Sequence, residues 1–271
     1  MSTVVPGTSR RRWPRRSGRL GRIGAIARHD ARILRNDPVF VVVFTIMPIA
    51  YMAFTRGAFG LVDAKGSGGN GAAQVVPGGA VLFSGFLVGN LGFAVFREHG
   101  WHTWERLRAT ALDTTELMVG KSIVPTATLV FQLAVLLGLG TLLFDLEVAG
   151  SWFAFLTVAA LLTVMEVTLG FMLLAVCRSV LQLNALTNLG AMLLSGLGGA
   201  LTPVQTLPTW AQHLAPATPA YWAMRGFRST VDGGGFAEIA APAAVLLGFS
   251  LTFALIAAKA FSVEAAKVSW E

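Results

Sequence analysis

The stretch Ser151 to Val176, SWFAFLTVAALLTVMEVTLGFMLLAV, decides the fold. Its 26 residues carry one charge, at Glu166. As a helix it would be about 39 Å long at 1.5 Å per residue, enough to cross a hydrocarbon layer of about 30 Å. Five further apolar runs flank it, roughly Val39 to Gly60, Gly78 to Phe96, Ser122 to Phe144, Leu183 to Pro203 and Ile239 to Phe261. The composition agrees. The 271 residues are 54% hydrophobic and 13% charged, with a mean hydropathy of +0.65. A water-soluble domain carries about 25% charged residues, so this chain lacks the polar surface to face water all round.

Orientation follows from where the basic residues fall. Ten arginines lie between Arg10 and Arg35. Arg97, Arg106, Arg108 and Lys121 lie between the second and third runs, Arg178 between the fourth and fifth, and Lys259 and Lys267 at the end. The opposite sides hold Arg56, Lys65, Arg225 and Arg228. Seventeen against four predicts alternating spans with both termini cytoplasmic. The basic excess abuts the first span, so anionic headgroups are its nearest partner and nucleic-acid binding is not expected. Ser9-Arg10-Arg11-Arg12 brushes a twin-arginine signal, but more than twenty residues separate it from the first apolar run.

Ahead of that run, Leu20, Ile23, Ala27, Ala31 and Leu34 recur at helical spacing, with Arg22, Arg32 and Arg35 off the stripe. The pattern predicts an amphipathic helix lying on the cytoplasmic leaflet, although a plain orientation signal would also explain the charges. Asp37 is expected to cap the first span, with Pro38 at its first helical position.

Between the second and third spans runs REHGWHTWERLRATAL, Arg97 to Leu112. Trp101, Trp104, Leu107 and Arg108 share a helical face, and Glu98, Glu105 and Arg106 add charges of both signs. Aromatic and arginine anchors suit docking onto another protein. A helix resting on its own bundle or on headgroups fits the same spacing.

The run Arg97-Glu98-x-Gly100-x-x-Thr103-x-Glu105-Arg106-Leu107-Arg108-Ala109-Thr110, followed by Gly120-Lys121, resembles the second cytoplasmic segment of the ABC type-2 permeases, which include drug and antibiotic exporters of the daunorubicin-resistance kind. The likeness extends to the basic amphipathic start, the six spans and the Pro-rich stretch before the last one. Ala111 stands where that family usually has proline, and His99 where a basic residue is common. The stretch from Pro203 to Arg228 resembles the family's element before span six, with Arg225 and Arg228 both candidates for its arginine.

The resemblance implies a half-transporter. Two permease chains, as homodimer or heterodimer, would join two copies of a cytoplasmic ATPase. ATP and magnesium would sit on that partner, with no cofactor on this chain. Carried over residue by residue, Glu98, Gly100, Thr103, Trp104, Glu105, Arg106, Leu107 and Arg108 would form the ATPase-coupling interface. The chain is not expected to be an enzyme: Gly120-Lys121-Ser122 is half a phosphate loop, but Thr115 stands where its first glycine belongs.

Inside the spans, Glu166 is a carboxylate at mid-helix, where a charge costs roughly 2.5–3.5 kcal/mol on translocon scales. It reads either as a pathway or proton-relay group or as a carboxyl hydrogen-bonded to a neighbouring helix. Asn184, Asn188 and Ser195 keep one face of span five polar and suit close packing, a dimer seam or a route for substrate. Gly85 and Gly89 form a small-residue pair in span two. His99, His102 and Glu105 have spacing for weak metal binding, without a supporting cluster, so no metal is expected. Cys177 is the single cysteine.

The expected fold is an all-α membrane protein of the bacterial cytoplasmic (inner) membrane. It has a basic disordered N-terminus over 1–18, an interfacial amphipathic helix over 19–37, a six-helix domain over 38–261 and a cytoplasmic tail over 262–271. A cytoplasmic coupling helix and a short helical re-entrant element before the last span complete it. The expected cargo is amphiphilic: a drug, antibiotic, lipid or glycolipid. A proton-coupled secondary transporter using Glu166, and a membrane scaffold that transports nothing, are the rival readings.

Overall fold

The computed structural model describes residues 18–63, 71–100 and 113–260. Among them every regular element is a helix. In chain order these are α1 (Arg19–Asn36), α2 (Val39–Asp63), α3 (Ala72–Leu87), α4 (Gly89–Gly100), α5 (Thr114–Leu143), α6 (Trp152–Val176), α7 (Val180–Leu197), α8 (Thr209–Leu214), α9 (Pro219–Val231) and α10 (Phe236–Ala260), with 3₁₀ turns at Val204–Thr206 and Ala215–Ala217. Six segments are long and apolar enough to cross a membrane, α3 and α4 counting together as one, Ala72–Glu98.

That joint segment is the centre of the bundle. Its most apolar window is 78% buried, against 11% for α2 at the periphery. Small residues let neighbouring backbones come close enough for this. A Cβ on Gly78 would lie 2.1 Å from the carbonyl oxygen of Ala200. One on Gly85 would meet Ala191, on Gly89 Thr187, and on Gly92 Leu183, so α7 crosses the segment on a ladder of glycines. Around this axis, α10 lies along α6, and α9 packs on both. Phe155 of α6 and Phe227 of α9, both fully buried, meet with ring centroids 5.1 Å apart.

Local chemistry sets the helix ends. Asp113 and Glu116 form a reciprocal capping box, which starts α5 at Thr114 rather than Ser122. The Ser151 hydroxyl accepts from the Ala154 amide at 3.3 Å and starts α6. Span five is shorter than the expected Leu183 to Pro203. Gly198 donates back to Leu194, Ala200 to Ser195, and Gly199 takes φ +87, a left-handed conformation that ends the helix at Leu197. The first span also departs from expectation. It begins at Val39, and the Pro38 carbonyl accepts from Val42, so Pro38 occupies the N-cap that Asp37 was expected to fill.

In α1 the buried residues are Ile26 and Asp30, while Leu20 is 84% exposed. The packed face is therefore rotated by about one residue from the Leu20–Leu34 stripe. Its partner is another helix: a Cβ on Gly120 of α5 would come within 2.8 Å of the Ile26 Cβ.

Candidate functional site

Lys121 is the least expected residue of the bundle. Its side chain is 2% exposed, and its ammonium donates to Asp30 Oδ1 at 2.9 Å and to Glu98 Oε1 at 2.5 Å. Arg97 Nη2 lies 3.5 Å from the same Asp30 oxygen. Three helices are thereby pinned at one point: α1 through Asp30, α4 through Arg97 and Glu98, and α5 through Lys121. One turn earlier on α5, Glu116 receives Arg22 of α1 through both oxygens, at 2.8 and 2.5 Å. Buried charges of opposite sign in contact are expensive to separate, because each would be left desolvated without its counter-ion.

His29, Asp30 and Glu98 place ligand atoms within 4.8 Å of one another, the spacing of a metal site. The Lys121 ammonium already bridges the two carboxylates and supplies the positive charge that a cation would bring. The triplet Gly120-Lys121-Ser122 lies inside α5, its lysine committed to this cluster. Helical backbone directs its amides along the axis and forms no phosphate cradle.

This knot stands where the chain leaves α4 for residues 101–112. Of the coupling residues read from sequence, Thr103, Trp104, Glu105, Arg106, Leu107 and Arg108 lie outside the described residues, as do the side chains of His99 and His102. Gly100 ends α4. Glu98 turns inward, 3% exposed, with its carboxylate held by Lys121 rather than presented to a partner.

A second concentration of polar groups lies deep in the bundle. Ser84 of α3 donates to Glu166 Oε1 at 2.7 Å, and Glu166 itself is 3% exposed. Glu166 Oε2 is buried without a hydrogen-bond partner among the described residues, and so is Thr187 Oγ1. Both residues line a cleft of about 390 Å³ whose other walls are mostly apolar, leucines, methionines and the rings of Phe249 and Phe253 among them. Of the polar face predicted for span five, Ser195 is buried and borders this cleft, whereas Asn184 and Asn188 are exposed. The Asn188 amide donates to the Asn184 side chain and backbone carbonyl. The face is thus divided along its length, one half turned into the protein and the other away from it.

At the opposite end from the ion-pair knot, Gln74 of α3 donates to the Gly199 carbonyl at 2.8 Å and accepts from Arg228 Nη2 at 3.3 Å. Arg225, by contrast, lies over the Trp222 ring, 5.5 Å from its centroid. The two arginines that the sequence leaves equivalent are separated here: Arg228 tethers α9 to α3, and Arg225 does not.

Asp30, Glu116 and Gln74 escaped the sequence reading, and Lys121 entered it only as a flanking charge and within Gly120-Lys121-Ser122, not as an ion-pair partner. Asp30 had a signal: it falls at helical spacing from Ile23, Ala27 and Leu34, on the apolar side of α1, where a lone carboxylate needs a partner.

Comparison with known proteins adds two findings. The family model described as ABC-2 type transporter matches residues 24–231. Among curated proteins, the "probable multidrug ABC transporter permease YbhR" of Escherichia coli K12, and the protein of the same name from strain O157:H7, are each 25% identical over 135 residues. The match covers 49% of this chain and 36% of each relative, so it spans about a third of those proteins' length.

Proposed function

The chain belongs to the ABC-2 type transporter family, and from that premise we propose that it is the membrane-spanning permease of an ATP-driven exporter whose ATPase is a separate subunit. With its six apolar helices it is a multi-pass membrane protein. In this reading α1 lies at the cytoplasmic end, along the inner leaflet of the bacterial cytoplasmic membrane. The short helices from Val204 to Val231 form the outer end. Two permease chains, identical or different, work with two ATPase subunits, which hold the ATP and magnesium. Residues 101–112 dock onto the ATPase, and the cargo is amphiphilic.

The observation that carries the proposal is the ion-pair knot of Asp30, Glu98 and Lys121. A segment that receives force must be attached to the bundle rigidly, or the force is lost in local bending. Residues 101–112 leave from a helix end fixed to two other helices by buried charges. ATP would bias the cycle through its higher affinity for the closed ATPase, since a ligand shifts an equilibrium only by its differential affinity for the two states.

The test is co-purification of the chain with a cytoplasmic ABC ATPase subunit, comparing wild type with Glu105→Ala and Leu107→Asp. Loss of the complex or of stimulated ATP hydrolysis, with the helical bundle intact, is the expected result. Undiminished coupling in both variants refutes docking through this segment.

One observation favours a proton-coupled reading: no basic residue lines the cleft around Glu166 among the described residues, so a proton could neutralise it. Transport in proteoliposomes driven by a pH gradient, with no ATPase present, would decide for that alternative. A scaffold without transport activity predicts no stimulation of ATP hydrolysis at all.

A further inference from the structure

The cleft holding Glu166 is framed by α7 on one side and α10 on the other, two helices that do not pack closely together. Its floor is α6 and α3, and Ala217, Pro219 and Ala220 close one end. Leu189 and Leu193 of α7 and Leu247 and Leu251 of α10 are exposed. The gap between the two helices therefore opens on the lateral surface of the single chain, among apolar side chains.

Its chemistry is lopsided. The walls are almost wholly apolar, yet two polar atoms set among them, Glu166 Oε2 and Thr187 Oγ1, have no partner among the described residues. Both can accept a hydrogen bond. Buried polar atoms of folded proteins nearly always have partners, so each exception calls for an explanation, a water, an ion or a bound group among them. None of the described residues lining the cleft is basic, so no side chain among them can neutralise a carboxylate. An ammonium group has three donors, no acceptor and one positive charge. It matches what the cleft lacks: a counter-charge for one carboxylate and donors for two acceptors. The Phe249 and Phe253 rings, whose centroids are 5.9 Å apart, add faces that attract a cation. A volume of about 390 Å³ falls within the range of small-molecule sites, and its apolar walls suit an alkyl or aryl body.

The geometry points to a lateral binding site within a single protomer for a monocationic amphiphile, with Glu166 as its counter-ion and Thr187 as an auxiliary acceptor. The site is read from this chain alone, and only its role as a substrate site rests on the exporter reading. One carboxylate sets the charge at one. An organic dication would bring a second charge into apolar surroundings with nothing to meet it.

The test uses the full chain in nanodiscs, without any ATPase, titrated with dodecylammonium and with dodecan-1-ol as the uncharged counterpart, and bound ligand is counted by native mass spectrometry. The wild type should bind the amine at least tenfold more tightly than the alcohol. Glu166→Gln keeps an acceptor for Ser84 but removes the charge, and should reduce that preference to within twofold while leaving the alcohol unchanged. Gly190 lines the cleft, and a Cβ built on it meets nothing within 4 Å. Gly190→Leu should therefore leave the fold intact and weaken both ligands severalfold. Equal binding of the amine by wild type and Glu166→Gln would overturn the proposal, as would amine binding indifferent to Gly190→Leu. Stimulation of a partner ATPase by the amine is a separate measurement. Its absence beside intact, charge-selective binding counts against the exporter reading and not against the cleft.

Discussion

Replacing Lys121 with methionine removes the cation that touches both Asp30 and Glu98. Contacts of 2.9 and 2.5 Å correspond to attractions of about 6 and 7 kcal/mol at an effective dielectric of about 20. The two carboxylates lie within 4.8 Å of each other, so their mutual repulsion is at least about 3 kcal/mol on the same scale. Taking each ion out of water costs several kcal/mol, which offsets most of what remains. The intact cluster is thus close to neutral for stability, but a broken one is not. Lys121→Met leaves two buried anions with weaker compensation and is expected to cost about 3–5 kcal/mol. For a chain of this size that lowers the unfolding midpoint by roughly 10 °C. The triple change Asp30→Asn, Glu98→Gln, Lys121→Met removes all three charges and is expected to recover most of the loss, because a neutral cluster needs no counter-ion. Tryptophan fluorescence during heating in one detergent, at one scan rate, measures both variants. A midpoint for Lys121→Met within about 1 °C of wild type would refute the reasoning, and so would a triple variant less stable than the single one.

Two further changes test the opposite end of the bundle. Gly78→Ala would drive a Cβ to 2.1 Å from the Ala200 carbonyl, which is backbone and cannot swing away. A loss of about 1–3 kcal/mol is expected, while Gly57→Ala, with nothing within 4 Å, is expected to be neutral in the same melts. Gln74→Leu leaves the buried Gly199 carbonyl without its donor and releases Arg228, for an expected cost of about 1–3 kcal/mol. A double cycle with Arg228→Met should show the two losses to be non-additive, since the residues share one tether.

The spans were legible in the sequence because a bilayer imposes a length, and length survives uncertainty about packing. Their ends were less so. The five residues between Leu197 and Pro203 are apolar enough to continue α7, and only the left-handed Gly199 stops it. The candidate site was legible in part. Glu166 stood out because a charge in an apolar run has no cheap explanation, and the structure adds the Ser84 hydroxyl from a neighbouring helix. Lys121 did not stand out. It lies 23 residues from Glu98 and 91 from Asp30, and nothing local to any of them encodes the meeting. Asp30 was passed over because the stripe read for its helix was not the face that packs. Alanine and leucine marked a stripe, but the face that packs follows Ile26 and Asp30, because the neighbour is Gly120 and Lys121 rather than an apolar surface alone.

The two polar sites lie on one mechanical element. Helices α3 and α4 are nearly continuous, separated by Val88, which keeps right-handed helical angles while its amide bonds to Gly85 three residues back. The tightened turn lies between Ser84, which holds Glu166, and Arg97 and Glu98, which hold the knot. Force entering at residues 101–112 would reach the bundle through the 12 residues of α4. A Cβ on Gly170 of α6 would come within 3.0 Å of the Val88 carbonyl, so α6 lies close against the same turn. A displacement of α4 therefore has two outlets. It can bend the chain at Val88 and be absorbed, or it can move α3 and α6 together and change the width of the cleft they floor. The close contact with α6 and the glycine ladder against α7 both resist bending, which favours the second. A hydrophobic cation beside Glu166 would then feel events at the ion-pair knot through one helix, without any rearrangement between them.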